Sequence, residues 1–485
     1  MSRSSVVIIG GGISGLSAAW ELSGAVEGPN DSTPRIELLE ANEQLGGALA
    51  TTSFAGRTID LGADGFLARR LEAVTLVQEM GLEDQLEAID ASGASLWLRG
   101  ALHELPVGLA LGIPTSSKQL KGLSGLSWRA HFNAFRDEVM PVRMTVGDDA
   151  TIGDIVRTKL GRELCYQFVE PMVGGIQAGR IDDLSAKSVF PTLLDAARQG
   201  GSLMRAMRCA GPVNPGPAAT VSKSGPMFYT LLDGVGSLPV TLARQLVERG
   251  VVIRTSTAVT ALRRTPSGSY PWEVDTSSTT TPADAVVLAT PAPVVGQLLG
   301  SLHPHLEALS SFASAGAAMV TFSVPRSAIA LPSSGTGVLV PLATPWSGDG
   351  SLIVTAITFL DRKWPHLRRD GDVLLRAHVG RIDDLRWSAM SDHDLITRVA
   401  DELRVLLPTF GNADESRVQR WPNALPQYYV GHETMVNNAK VAANSFRVAL
   451  CGNAYDGVGI PAGVGGGRRA AREALEMVGG RASYR

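Results

Sequence analysis

The sequence predicts an α/β protein whose nucleotide-binding domain is assembled from segments that lie far apart in the chain. The stretch VVIIGGGISGLSAAWEL at residues 6–22 places a glycine turn between an apolar run and a helix-forming run. A similar arrangement, FRVALCGNAYDGVGIPAG, recurs at residues 446–463. Between them, ADAVVLATPA at residues 283–292 is typical of a buried parallel strand. Together these three stretches favour a Rossmann-like fold.

Length and composition describe a globular protein of more than one domain. At 485 residues the chain exceeds the size at which a single hydrophobic core stops growing. Hydrophobic residues make up 44% and charged residues 19%, which excludes an intrinsically disordered chain. The formal net charge of -3 argues against a general nucleic-acid-binding protein.

The cysteines and histidines form no metal-binding pattern. Cys165, Cys209 and Cys451 are widely spaced, which is typical of reduced thiols in a cytoplasmic protein. His303 and His305 flank a proline, but no third ligand accompanies them. No stretch approaches about 20 unbroken apolar residues, the length of a membrane span. We therefore expect a cytoplasmic protein without a bound metal, with peripheral membrane contact left open.

The N-terminal turn has the spacing of a dinucleotide-binding motif. Gly10, Gly12 and Gly15 form GxGxxG directly after a strand and before a helix. The first glycine permits the tight turn, the second lets the backbone approach phosphates, and the third lets helix and strand pack closely. The free N–H groups at the start of the helix then face the anion.

An acidic residue and two further glycine turns favour FAD over NAD as the dinucleotide. The strand RIELLE at residues 35–40 ends in Glu40, which is placed to bind the ribose hydroxyls of the adenosine. Gly46 and Gly47 follow it, and IDLGADGF at residues 59–66 adds another glycine turn. An NAD enzyme has no use for these additional turns, whereas a long flavin lying across the domain does.

Several motifs give the sequence a resemblance to one family over nearly its whole length. Residues 168–193 (FVEPMVGGIQAGRIDDLSAKSVFPTL), 420–432 (RWPNALPQYYVGH) and 451–467 (CGNAYDGVGIPAGVGGG) are similar to signatures of the oxygen-dependent protoporphyrinogen and coproporphyrinogen III oxidases. That family is a branch of the FAD-binding amine oxidase superfamily.

The chain departs from the family pattern at a few positions. Gln44 and Ala48 stand where basic residues near the cofactor phosphates are usual, and Gln177 stands where the family has tyrosine. The glycine-rich stretch VGGG at residues 464–467 is a further departure, which we expect to loosen the start of the last helix.

The resemblance implies a GR2-type FAD-binding domain. It implies that Val458, Gly459 and Ile460 contact FAD through their backbones, and that Val259 does so at the adenine. Trp421 is expected near the flavin, with an ordinary interface tryptophan as the alternative. The residues predicted to contact FAD are Gly10, Gly11, Gly12, Ile13, Ser14, Gly15, Glu40, Ala41, Gly46, Gly47, Ala48, Gly62, Ala63, Asp64, Gly65, Val259, Trp421, Gly452, Val458, Gly459 and Ile460.

The resemblance further implies a porphyrinogen substrate and molecular oxygen. No Ser-His-Asp triad or catalytic carboxylate pair is evident in the sequence, which suits an enzyme whose flavin N5 accepts a hydride from a methylene bridge. Three such rounds remove six electrons and form three molecules of hydrogen peroxide, a step of haem biosynthesis. Because the substrate carries propionates, Arg70 is predicted to bind them, with Arg69 as a second choice. The backbone of Gly174 and Gly175 is predicted to line the macrocycle.

Alternatives stay open within and beyond this family. Coproporphyrinogen III is preferred to protoporphyrinogen IX because ARRLEA at residues 68–73 and GVGIPAG at residues 457–463 resemble the soluble bacterial branch. Outside it, an amine oxidase or carotenoid desaturase would use the same fold. A non-catalytic flavoprotein that transiently contacts another haem-pathway enzyme is the remaining alternative.

Shifts in pattern predict the domain boundaries. Helical patterns, including WRAHFNAFRDEVM with its apolar side chains at helical spacing, indicate a substrate-capping domain that in the family can touch a membrane. Later strand-like runs indicate a mixed, mainly antiparallel sheet behind the substrate pocket. The predicted units are an FAD-binding domain (1–85, 225–300 and 436–485), a helical domain (86–205), a Gly/Pro/Ser-rich linker (206–224) and a substrate-binding sheet domain (301–435).

Overall fold

The structure is a computed structural model that describes residues 3–24, 34–90, 93–123, 125–210, 226–265, 270–342, 344–346 and 350–479. The strands are β1 (Ser5–Ile9), β2 (Arg35–Leu39), β3 (Thr51–Phe54), β4 (Arg57–Asp60), β5 (Phe66–Leu67), β6 (Leu86–Ala88), β7 (Ser95–Leu98), β8 (Ala101–Glu104), β9 (Phe228–Leu231), β10 (Val252–Arg254), β11 (Val259–Arg264), β12 (Trp272–Thr276), β13 (Thr280–Ala283), β14 (Ala285–Leu288), β15 (Ser314–Pro325), β16 (Gly337–Leu339), β17 (Pro345–Trp346), β18 (Gly350–Ser351), β19 (Val354–Phe359), β20 (Asp372–Val379), β21 (Glu415–Pro426) and β22 (Val448–Leu450). The α-helices are α1 (Ile13–Gly24), α2 (Leu71–Glu79), α3 (Trp128–Val139), α4 (Ile152–Leu160), α5 (Arg162–Leu164), α6 (Gly175–Gln177), α7 (Ala186–Val189), α8 (Pro191–Arg198), α9 (Leu203–Ala210), α10 (Ser237–Glu248), α11 (Ala292–Leu299), α12 (Pro304–Glu307), α13 (Leu360–Lys363), α14 (Asp392–Leu406), α15 (His432–Ser445), α16 (Asn453–Asp456) and α17 (Ile460–Gly479).

A five-stranded parallel sheet carries the first glycine turn. Its strand order is β10–β2–β1–β14–β22, and every neighbouring pair is parallel. Val6 and Ile8 pack on the side of α1 and α17, whereas Val7 and Ile9 pack on the other side against β12 and α11. Burial on both faces explains why β1 is apolar throughout. The predicted α/β class, with a nucleotide-binding sheet drawn from distant segments, is confirmed.

A seven-stranded sheet forms the second layer of the molecule. Its order is β21–β15–β20–β19–β16–β7–β8, and its strands are antiparallel except for the β16–β7 pair. The hairpin β7–β8 belongs to the segment 86–205, which we expected to be helical. Leu96 and Leu98 on β7 are buried, so the hairpin is part of a hydrophobic core and not of a helical cap. The division into domains itself stays a prediction.

Helices dominate the rest of that segment. A π-helix, Cys165–Gly174, runs through the FVEPMVGG motif and contains Pro171. Its i→i+5 hydrogen-bonding pattern is rare and is often found at functional sites. Residues 206–210 of the predicted linker form the end of α9, and residues 211–224 lie outside the described residues. Within the described ranges, no helix is long and apolar enough to cross a membrane.

The glycines of the last helix permit close packing against the first. A methyl group on Gly467 would overlap the carbonyl oxygen of Ser14, and one on Gly466 would overlap the carboxylate of Asp456. The helix α17 runs without interruption from Ile460 to Gly479. The expectation that the glycine run loosens the start of this helix is therefore wrong, because the glycines let α17 approach α1 closely.

Candidate functional site

The turn between β1 and α1 is shaped by its glycines. Gly10 has a φ of +106°, which favours glycine, and a methyl group on Gly15 would overlap the carbonyl oxygen of Gly10. By contrast, a methyl group on Gly12 would meet nothing within 4 Å. Gly12 therefore borders open space at the carboxyl edge of the parallel sheet, where nucleotides bind in such folds.

Glu40 lies beside this turn at the end of β2. Its Oε2 accepts a hydrogen bond from the backbone N–H of Gly11 at 2.6 Å, and its Oε1 accepts one from the N–H of Asn42 at 2.8 Å. The carbonyl of Glu40 accepts a hydrogen bond from Thr257, two residues before Val259. The structure thus brings Glu40, the first turn and the start of β11 together, as the prediction of an adenosine site requires.

A series of contacts leads from the first turn to the later glycine turns. Gly46 donates its backbone N–H to the carbonyl of Gly11 at 2.9 Å. Next along the chain, a methyl group on Gly62 would overlap the carbonyl oxygen of Ala48. The first turn, the Gly46–Gly47 turn and the Gly62–Gly65 turn are therefore neighbours in space, as the prediction of an extended flavin dinucleotide requires.

The C-terminal glycine loop approaches the same place. Asp456 accepts a hydrogen bond from the N–H of Gly452 at 3.0 Å and forms ion pairs with Lys440 and Arg469, which fixes the loop. A methyl group on Gly463, in the first turn of α17, would lie 2.8 Å from Cγ2 of Ile13 at the start of α1. Two helix N-termini therefore converge, and neither has an acidic residue in its first turn. This arrangement favours a bound anion.

The Gly62–Gly65 turn is tied to the seven-stranded sheet by charged groups. Asp64 forms an ion pair with Lys363 at 2.7 Å and accepts a hydrogen bond from Nε1 of Trp364. Although burial acts to raise it, the charges of Lys363 and Arg376 hold the pKa of Asp64 at about 2. Nε1 of Trp421 donates to the carbonyl of Leu61 at 3.0 Å, so this tryptophan adjoins the predicted flavin turn.

Arg376 on β20 is the most deeply buried cation near this turn. It is 2% exposed, and its guanidinium donates hydrogen bonds to the carbonyls of Asp60 and Gly62. Alternate residues of a strand share a face, so His378 lies on the same side of the sheet. Thr321, beside Arg376, is buried, but the cross-strand neighbours of His378 are only partly buried, which leaves an open patch around the histidine. We name the patch the cleft face; its residues are Met319, Ala356, Thr358, His378 and Gln419.

The predicted substrate residues occupy different environments. Arg70 is 7% exposed and forms an ion pair with Glu72 at 2.9 Å. Arg69 forms no ion pair within the described part of the chain, and its Nε is buried without a partner there. Gly174 packs against the carbonyl of Gly179, whereas a methyl group on Gly175 would meet nothing within 4 Å. Their binding roles stay predictions.

Sequence reasoning missed several polar residues of this region. Oγ1 of Thr290 is buried without a hydrogen-bond partner among the described residues, and its methyl group lies beside Gly10. Arg376 and His378 interrupt the otherwise apolar run VLLRAHV at residues 373–379, and that interruption was the available signal. Lys363 gave no comparable signal, because its partner Asp64 lies 299 residues away in the chain.

Comparisons with known proteins agree with this geometry. The family described as flavin containing amine oxidoreductase matches residues 13–475. The chain belongs to this family. A coproporphyrinogen III oxidase from Bacillus subtilis is 33% identical over 476 residues, covering 97% of both chains, and one from Mycobacterium tuberculosis is 33% identical over 485 residues, covering 99% of both. A solved structure from Exiguobacterium, provisionally named a protoporphyrinogen oxidase, has a TM-score of 0.85 at 30% identity and covers 98% of this chain and 99% of that one.

Membership in the flavin-containing amine oxidoreductases confirms the predicted flavin cofactor and oxidoreductase class. FAD is the flavin that a dinucleotide turn accommodates. The residues present fit it: Gly12 and Gly452 border open space, the N-termini of two helices converge, and Thr290 has an unpartnered hydroxyl within the described structure. The individual FAD contacts predicted from the sequence stay predictions.

Proposed function

We propose that this flavin-containing amine oxidoreductase oxidises coproporphyrinogen III to coproporphyrin III, with oxygen as the final electron acceptor. The observation that supports it most is the cleft face, whose strand β20 reaches the Gly62–Gly65 turn through Arg376, in a chain similar over its full length to coproporphyrinogen III oxidases. Bound FAD would accept the hydride that leaves a methylene bridge of the substrate. Three rounds would remove six electrons and yield three molecules of hydrogen peroxide.

The chain's own groups would position the reacting partners. The N-terminus of α17 would stabilise negative charge on the reduced cofactor, as helix dipoles do for anions. Trp421 and the Asp64–Lys363 pair would hold the Gly62–Gly65 turn against the sheet. Arg69, which forms no ion pair in the described structure, is available to a propionate, whereas Arg70 is already paired with Glu72.

The proposed reaction is tested by mixing the purified yellow protein with coproporphyrinogen III and, separately, with protoporphyrinogen IX. Porphyrin fluorescence and peroxide are followed against a protein-free control. Faster oxidation of coproporphyrinogen III supports the proposal, and faster oxidation of protoporphyrinogen IX supports the second candidate, which the name of the Exiguobacterium structure favours. If neither substrate is oxidised faster than in the control, the proposed function is wrong.

Replacing Gly175 by alanine tests whether this glycine keeps room for the macrocycle. Gly175 has a helical φ of −64°, so neither its conformation nor its protein neighbours require glycine. Alanine should raise local helix stability by about 0.5–1 kcal/mol. We expect an unchanged or higher melting temperature together with a several-fold higher KM for the porphyrinogen.

The control for that experiment is Gly371→Ala, since a methyl group there also meets nothing within 4 Å but lies on the remote β20 turn. It should change neither KM nor the melting temperature. An unchanged KM in the Gly175→Ala variant would contradict the placement of the macrocycle beside this glycine.

We also propose peripheral contact with an anionic membrane through one face of α3. The face exposes Trp128 (71%), Phe132 (54%), Phe135 (54%) and Val139 (54%), which lie three or four residues apart and so form a single stripe. The segments packed beside the stripe carry exposed cations at Lys118, Lys121, Arg129, Arg143, Arg205 and Arg208. An exposed apolar stripe bordered by cations is typical of interfacial helices.

The double variant Trp128→Ser/Phe132→Ser should bind phosphatidylglycerol-containing vesicles at least about tenfold more weakly than the wild type, because two membrane-inserting side chains are lost. Co-sedimentation at low and high salt measures this. The matched control is Val441→Ser, an equally exposed apolar position on α15 (72%). Equal binding of the double variant and the wild type, or no binding by the wild type, would refute the contact.

A further inference from the structure

A polar pair lies on the cleft face, across two neighbouring strands of the seven-stranded sheet. Nε2 of His378 and Oγ1 of Thr358 are 3.0 Å apart, across the β19–β20 pair. Ala377 and Val379, on the other side of β20, are buried in the apolar core beneath the sheet. His378 is only partly buried, and its Nδ1 is not among the buried unpartnered atoms, so this nitrogen reaches the surface of the cleft face.

The position of His378 relative to the flavin turn is fixed by its strand. Arg376, two residues earlier on the same face, reaches the carbonyls of Asp60 and Gly62. Two residues of a strand span roughly 7 Å, so the imidazole lies about that far along the sheet from the turn. The flanking cross-strand residues are Met319 and Ala356, both partly exposed, and neither competes for the ring nitrogen.

The surroundings keep the imidazole neutral. Burial lowers the pKa of His378 to about 4, and the charges of Arg376 and Lys363 act in the same direction, with Asp64 opposing them. A neutral ring whose Nε2–H donates to Thr358 leaves a lone pair on Nδ1. The cleft face thus presents a hydrogen-bond acceptor between the apolar side chains of Met319 and Ala356.

A porphyrinogen is the complement of such a surface. Its inner edge offers pyrrole N–H groups and no acceptor, and its remaining core is hydrocarbon. Because hydride departure leaves positive charge on the ring, an N–H hydrogen bond to a neutral acceptor becomes stronger in the transition state than in the bound substrate.

We propose that His378, held by Thr358, accepts a hydrogen bond from a pyrrole N–H of the substrate and so orients the macrocycle for hydride transfer. This inference rests on the proposed function and names the substrate group that the cleft face recognises. It assigns the histidine a contact with substrate and Thr358 a positioning role.

The test compares steady-state kinetics of five proteins with coproporphyrinogen III. His378→Leu should lower kcat about 10- to 100-fold while KM changes less than about threefold, since the lost interaction is strongest in the transition state. His378→Gln, which restores an acceptor oxygen, should recover part of that loss. Thr358→Val should lower kcat less than His378→Leu does, and Thr358→Ser should match the wild type because it keeps the hydroxyl.

Two further measurements separate this role from a structural one. The flavin content and melting temperature of each variant should equal those of the wild type and of a His393→Gln control, which changes an exposed histidine on α14. Wild-type kcat in a folded His378→Leu protein overturns the inference while leaving the proposed function intact. If His378→Leu misfolds, the Thr358→Val and Thr358→Ser pair decides, and equal kcat in these two overturns it. A wild type that oxidises neither porphyrinogen overturns the proposed function and this inference with it.

Discussion

Substituting alanine for Gly15 should abolish tight FAD binding. The new methyl group would overlap the carbonyl oxygen of Gly10 and lie 3.2 Å from Cβ of Ala289, so the turn would have to open. Both contacts involve the turn and the neighbouring strand β14, neither of which can move without disturbing the parallel sheet. We expect at least about 100-fold weaker FAD binding, because the close approach of backbone N–H groups to the phosphates is lost.

The ratio of flavin to protein absorbance after purification, followed by an FAD titration, measures this loss. Gly24→Ala is the matched control, since it lies at the other end of the same helix and its methyl group would make only an ordinary 3.5 Å contact with Arg249. That variant should remain yellow. A Gly15→Ala protein with a full complement of FAD would contradict the assignment of this turn to the cofactor.

The nucleotide-binding part of the fold was predictable because its signals are local. The Gly10–Gly15 turn follows directly after strand β1, and Glu40 follows directly after strand β2. Each signal is therefore contained within a few consecutive residues. The hydrogen bond from Gly11 to Glu40 then joins two such local units. The order of strands in the sheet was not predicted, because it depends on pairings between segments that are distant in sequence.

The orientation of α3 shows where periodicity stops being informative. Helical spacing of Phe132, Phe135 and Val139 predicts one apolar face, and the structure contains that face. The helical spacing does not say whether this face contacts protein or solvent, because that depends on neighbours that are distant in sequence. Here Ala130 and Ala134 are buried instead, and the large side chains are exposed.

The hairpin β7–β8 and the Asp64–Lys363 pair were beyond prediction for the same reason. Strand β7 pairs with β16, more than 230 residues later, and no local turn signal specifies that pairing. The Asp64–Lys363 pair joins segments 299 residues apart, and the sequence around neither residue indicates the other partner. Arg376, His378 and the Asp64–Lys363 pair therefore emerged only from the structure, whereas Trp421 on β21 of the same sheet was predicted from its motif.

Asp60 is a buried acid on β4, and its carbonyl contacts Arg376 of the seven-stranded sheet. It is the last residue of β4, is 7% exposed, and accepts a hydrogen bond from the N–H of Gly236 at 2.9 Å. Burial raises its pKa from 3.8 to about 7, with the Gly236 hydrogen bond opposing and the charge of Asp64 adding to the shift. In the folded protein this carboxyl therefore holds its proton through a pH range in which the unfolded chain has lost it.

The sign of the resulting pH dependence follows from linkage. Below pH 3.8 both states are protonated, and the group does not discriminate between them. Between pH 3.8 and about 7 the unfolded state is charged and the folded state is not, so each added pH unit lowers the free energy of unfolding by about 1.4 kcal/mol. Above that range the full penalty, on the order of 4 kcal/mol, is present and constant.

Asp60→Asn should therefore stabilise the protein, and more so at pH 8 than at pH 5. The amide oxygen can still accept the Gly236 hydrogen bond, while the buried charge is gone. We expect a gain of roughly 1.5 kcal/mol at pH 5 and roughly 4 kcal/mol at pH 8, seen as a melting-temperature difference that widens with pH. The matched control is Asp370→Asn at an exposed position, whose effect should be small at both pH values. A gain for Asp60→Asn that does not grow between pH 5 and pH 8 would mean that Asp60 is already ionised in the folded protein at pH 5, and that Arg376 compensates its charge despite the burial.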